Sequence, residues 1–210
     1  MAQWTNQVLQ FQRFKSISIL QVNLKKNIPW WLKFCIKLIL SLLPINYEYW
    51  RKLGIFKHGS MNKPSLAIST FQKYYKIANE HKKISKNFNC LEIGPGDSIL
   101  TGLAAKSFGS NCYWAIDSGK FADMNLNLYK KTAKYLKLKN KNLYNSTTTS
   151  EFLKNINLKY KTEGLKSLKE IPSSSIDFCW SQVVLEHIYL EEFEELISQV
   201  YRTSKKIATL

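Results

Sequence analysis

The segment Cys90-Leu-Glu-Ile-Gly-Pro-Gly-Asp-Ser98 gathers the residue types best suited to chemistry in this chain. A short apolar run carries an acid, Glu92, breaks at Gly94, Pro95 and Gly96, passes Asp97, and yields to a helical pattern at Ser98. A strand that ends in a glycine turn with a helix opening behind it brings unpaired backbone N–H groups and a positive helix end to one point. Such a point suits a nucleotide. The dinucleotide fingerprint wants a third small residue three positions after the second glycine, where helix and strand approach closely. Ile99 stands there and argues against NAD or FAD. Asp117 ends a second apolar run, about 20 residues past the turn, the spacing of a carboxylate that accepts both hydroxyls of a ribose. The alternative is that it caps the next helix. His187 follows a later apolar run; its imidazole either takes an acceptor's proton near neutrality or only fixes a strand–helix turn. His58, beside Gly59, either closes over a pocket or is a plain loop residue.

The elements that must position these residues follow from alternation after residue 88. Strands are expected at Phe88–Ile93, Asn111–Ile116, Leu158–Lys161 and Ile176–Ser181. Between them fall helices at Ser98–Phe108, capped by Gly109, and at Phe121–Leu138; Asn140–Asn157 reads as a polar loop with one short helix. A last helix, Glu191–Ser204, has acids in its first turns and Lys205-Lys206 at its end, as the macrodipole prefers. Strands alternating with helices predict an α/β fold with a doubly wound parallel sheet.

Residues 1–87 are expected to form a basic, mainly helical region. They carry 15 Lys/Arg against two acids, whereas residues 88–210 carry 16 against 13, so most of the net charge of +16 lies outside the sheet-forming half. Arg13, Arg51 and Arg202 are the only arginines. Because arginine is the residue preferred for bidentate phosphate and guanine contacts, nucleic acid is not the expected partner. Residues 29–43, between Pro29 and Pro44, predict an apolar helix too short to span a bilayer, which takes about 20 residues. Lys33, Lys37 and Ser41 make one polar stripe on it, so it buries against the core or a partner, or residues 28–44 lie in a membrane surface with Trp30 and Trp31 at headgroup level. Pro64 opens an amphipathic helix expected to run to about Glu80. Cys35, Cys90, Cys112 and Cys179 form no C-x-x-C pair; neither zinc nor a disulfide framework is expected, and the compartment read from this is the cytoplasm, with peripheral membrane contact as the variant.

Leu91–Ser98, Asp117, Glu163–Pro172 and Ser175-Ile-Asp-Phe-Cys-Trp-Ser-Gln-Val-Val-Leu-Glu-His-Ile188 together resemble the class I, Rossmann-like S-adenosylmethionine (SAM)-dependent methyltransferases, over about residues 45–205. The resemblance implies strand order 3-2-1-4 and SAM as cofactor. It places Glu92 near the methionine amino group and Gly94, Pro95, Gly96 and Asp97 under the amino-acid part. Asp117 with Ser118 would hold the ribose, and Glu163, Gly164 and Leu165 the adenine. Ser181 and Gln182 complete the cofactor set, with His187 where donor and acceptor would meet. Absence of an N/D-P-P-aromatic turn or a Pro-Cys pair after the fourth strand implies an oxygen, carbon or nitrogen of a small molecule or glycan as acceptor. The family's domain has seven strands, so the fold is expected to be truncated before strands five to seven, as a fragment or with a partner chain that completes the sheet. Two other functions stay open: a non-catalytic SAM-fold module that binds membrane or a partner through its basic N-terminal region, and an RNA methyltransferase.

Overall fold

A computed structural model describes Pro29, Trp31, Leu32 and residues 62–81 and 83–205. The chain divides into two compact units, Met1–Lys57 and His58–Leu210. In the first, Trp31 and Leu32 are helical and exposed; the rest of the apolar helix expected over 29–43 lies outside the described residues, as does His58. No described helix is long and apolar enough to cross a membrane.

Among its described residues the second unit holds a four-stranded parallel sheet in the order β3-β2-β1-β4. Its strands are β1 (Asn89–Ile93), β2 (Cys112–Ile116), β3 (Leu158–Lys161) and β4 (Phe178–Ser181). Helices α1 (Pro64–His81) and α2 (Leu100–Ser107) lie with one face, and α6 (Leu165–Lys169) and α7 (Leu190–Thr203) with the other. Strand residues alternate between two cores, as the pleat requires. Cys90, Tyr113, Ala115, Phe178 and Trp180 join Ala67 and Phe71 of α1 and Leu100 and Leu103 of α2. Leu91, Ile93, Trp114, Ile116 and Cys179 join Leu168 of α6 and Leu196 and Val200 of α7. Burial on both faces is the signature of a doubly wound sheet.

Pro64 occupies the first position of α1, where its missing N–H and fixed φ suit a helix start. Phe71 then meets Phe108, Tyr113, Phe178 and Trp180 edge-on, at centroid distances of 5.6–6.4 Å, and Tyr74 stacks on Trp180 at 5.0 Å. Helix α1 therefore packs on the sheet. Gly109, at φ +91°, ends α2 as expected: its N–H donates to Lys106 O and that of Ser110 to Ala105 O, the paired bonds of a Schellman cap.

Two helical expectations are corrected. The helix expected over Phe121–Leu138 starts later, as α3 (Leu126–Tyr135), because Asn125 caps it by accepting the N–H groups of Asn127 and Leu128. The preceding residues are held as a loop instead. The single short helix expected within Asn140–Asn157 is two, α4 (Lys141–Asn145) and α5 (Thr149–Asn155), each with its own cap, Asn140 and Thr148. Glu151 reaches back to accept the Thr147 N–H at 2.8 Å, fixing the start of α5.

Candidate nucleotide-binding cleft

The glycine turn leaves β1 at the carboxyl edge of the sheet. Gly94, at φ +72°, donates its N–H to Ile116 O at 2.8 Å, carrying the β1–β2 pairing one residue beyond the strand. Gly96, at φ +68°, donates its N–H to Asp117 Oδ2 at 3.0 Å, and Asp117 Oδ1 accepts the Ser118 N–H at 2.8 Å. The backbone of Asp117 accepts from Gly164 N–H and donates to Lys161 O, both at 2.9 Å. The ends of β1, β2 and β3 thus converge on one aspartate. Gly164, at φ 53° and ψ −128°, occupies backbone space open essentially to glycine, and from there it starts α6 beside Ser118.

A cavity of about 220 Å³ opens at this convergence. Six of the expected site residues line it together: Gly94, Asp117, Ser118, Gly164, Leu165 and His187. Pro95 and Asp97 are buried in the turn, and Gly96 is half-buried. The Asp97 carbonyl accepts the Asp123 N–H at 2.8 Å, which ties the glycine turn to the loop after β2. Ser181 donates its hydroxyl to Ile93 O at 3.0 Å and so locks the end of β4 to that of β1. Gln182 is exposed. Glu163 is exposed too and pairs with Lys166 at 2.8 Å, which holds its carboxyl below the usual range.

Glu92 points elsewhere. It shares its sheet face with Cys90, against α1 and α2, and its Oε2 accepts the hydroxyls of Thr101 and Tyr113 at 2.7 Å each. Burial pushes its pKa up to about 7, against the opposing pull of those two hydrogen bonds. It lies behind the strand, not in the cavity. The cavity also takes in residues the sequence did not nominate: Val184, Ile188, Tyr189, Glu192, Leu168 and Leu196. The apolar spacing of Val184, Ile188, Leu168 and Leu196 reads as core, and only the fold shows that α6 and α7 bring part of that core, with exposed Tyr189 and Glu192, to the rim.

The donor set fits a SAM-type ligand. A side chain added at Gly96 would meet nothing within 4 Å, so a ligand backbone can run along that turn. The Asp117 carboxylate lines the cavity, its two oxygens accepting the Gly96 and Ser118 N–H groups.

Comparison of the sequence with protein-family profiles and with curated proteins finds no match. Among solved structures, the chain is similar to a phospholethanolamine N-methyltransferase 2 of Haemonchus contortus in complex with phosphomonomethylethanolamine and S-adenosylhomocysteine. The two are 18% identical, with a TM-score of 0.39, over 64% of this chain and 26% of that one. It is also similar to a protein of Methanococcus maripaludis described as an S-adenosyl-L-methionine-dependent methyltransferase. Here identity is 16% and TM-score 0.37, over 71% of this chain and 63% of the other. The matched region thus spans about a quarter of the first protein and under two thirds of the second. The chain's own strands carry the fold assignment: parallel, in the order 3-2-1-4, with helices on both faces, they make a doubly wound, Rossmann-like α/β fold, with the strand order that the resemblance to class I methyltransferases implied.

Proposed function

We propose that the sheet-bearing unit binds SAM at the carboxyl ends of β1 and β2 and directs its methyl group to a small-molecule or glycan acceptor. The observation that carries this reading is the convergence on Asp117, where the glycine turn, the end of β2 and the head of α6 meet around one cavity. Asp117 would accept the ribose hydroxyls, charge-assisted hydrogen bonds of the stronger kind. Gly94 and Gly96 would carry the amino-acid part along their backbone, and Gly164 and Leu165 would border the adenine. When bound, SAM supplies a sulfonium-activated methyl group, so the chain's own work is to orient the acceptor in line and take up its proton. His187 lines the cavity wall, where its imidazole would take that proton. Buried Glu92 acts through the frame, by fixing β1 against α2.

Calorimetric titration of the full chain with SAM and S-adenosylhomocysteine, with NAD as control, tests this. Saturable heat with the two adenosyl ligands and none with NAD is expected. Folded protein that gives no heat at millimolar ligand would remove the reading in favour of a non-catalytic module.

A further inference from the structure

The stretch that follows β4 is strained, and it stands in the cleft. Val183 has φ +55° and is 68% exposed. Of the described non-glycine residues with positive φ (Asn87, Lys137, Asn157, Ser174 and Val183), it alone is β-branched. A branched Cβ collides with the backbone in that region, so nothing intrinsic to valine favours it there. Its neighbour Val184 lies against the glycine turn: a Cβ built on Gly94 would overlap Val184 Cγ2 and sit 2.6 Å from Cγ1. Val184 is carried on a short 3-10 turn, Leu185–His187, whose His187 N–H donates to Val184 O at 2.9 Å. The cavity that remains, about 220 Å³, falls below the range of about 300–1,000 Å³ typical of small-molecule sites.

We propose that Val184 is a gate over the glycine turn, carried on strained backbone at Val183, and that ligand enters when Val183 leaves the left-handed region and draws Val184 off Gly94. The ligand named here rests on reading the cleft as a SAM site; the gate itself does not. The hinge begins after Ser181, whose hydroxyl is anchored to Ile93 O. His187 travels with Val184, so opening the cleft and repositioning the imidazole are one motion. Strain at Val183 keeps the closed state from being too deep. A ligand that needs the open state binds with its intrinsic affinity reduced by the open fraction.

Two substitutions shift that fraction in opposite directions. Asparagine tolerates the left-handed region without glycine's added flexibility, and residue 183 is exposed, so Val183→Asn deepens the closed state. Val184→Ala removes the methyls that cover Gly94. Valine-methyl relaxation dispersion on the ligand-free chain reads the gate directly: Val184 should exchange on the microsecond-to-millisecond scale, and Val183→Asn should suppress it. A flat Val184 profile in the unsubstituted chain overturns the gate. Titration with S-adenosylhomocysteine should show affinity weakened about threefold to tenfold by Val183→Asn and tightened about threefold by Val184→Ala. Both variants shifting affinity the same way overturns the gate. Exchange at Val184 that Val183→Asn suppresses, with no heat from any form of the chain, would uphold the gate and reject SAM as its ligand.

Discussion

The Glu92 carboxylate sits 3% exposed between the Thr101 and Tyr113 hydroxyls, with a pKa pushed from 4.5 to about 7 by burial. The folded state thus favours the protonated acid. Below about pH 4.5 the group is neutral whether folded or unfolded and carries no penalty. Between 4.5 and 7 the unfolded chain ionises first, so stability falls as pH rises, and above 7 the loss is complete, on the order of 3 kcal/mol. Glu92→Gln keeps an oxygen for both hydroxyls and has no charge to bury. Urea denaturation across this window should therefore give a declining wild-type stability relative to the variant; parallel curves would contradict the buried, proton-holding carboxyl. The sequence showed an acid at a strand end but not its direction. A strand buried on both faces has no polar–apolar alternation to reveal which face an odd residue takes.

Among the elements, the loop between β2 and α3 is held over Gly119–Ala122 by the Tyr160 phenol. Tyr160 on β3 donates its hydroxyl to Gly119 O at 3.1 Å and accepts the N–H groups of Phe121 and Ala122 at 3.1 and 3.2 Å. Tyr160→Phe removes all three bonds beside Ser118, leaves Phe121 N–H and Gly119 O only their own 3.1 Å bond and takes the phenol acceptor from Ala122 N–H, and should cost about 1–3 kcal/mol by chemical denaturation; an unchanged midpoint would show that the loop is held by other means. This tether also explains why the helix expected from Phe121 begins at Leu126. Leu158–Lys161 and Gly109 were legible because strand alternation and helix capping are local. The tether was not, since its partners lie 38 to 41 residues apart along the chain. Likewise turn chemistry and spacing singled out Asp117 and Gly94, which line the cavity, whereas Gly164 came only from the family resemblance. Tyr189 and Glu192 were not legible, because their place at the cavity depends on how α7 crosses the sheet.

For the molecule as a whole, two cores share one sheet, and Phe71 fastens α1 to the face opposite α6 and α7. Phe71→Ala opens a cavity among five aromatic neighbours and should cost about 3–5 kcal/mol, measured by urea denaturation; a loss under 1 kcal/mol would mean that α1 is peripheral. Charge is polarised along the sheet as well. Residues 124–161, ending in edge strand β3, hold nine lysines and one acid, Glu151; residues 162–205, which include edge strand β4, hold four bases and eight acids. A near-neutral sum for residues 88–210 concealed this, since β3 and β4 become opposite edges only when the strand order is known. The central claim is that ligand meets Asp117 at the carboxyl edge while Glu92 stays behind the strand. The most direct measurement is the affinity for S-adenosylhomocysteine of the wild-type chain, Asp117→Asn and Glu92→Gln, by calorimetry at one pH. Loss of the charge-assisted bonds should weaken Asp117→Asn by about tenfold or more, with Glu92→Gln close to wild type. Equal affinity for wild type and Asp117→Asn, or a loss in Glu92→Gln as large as that in Asp117→Asn, would contradict it.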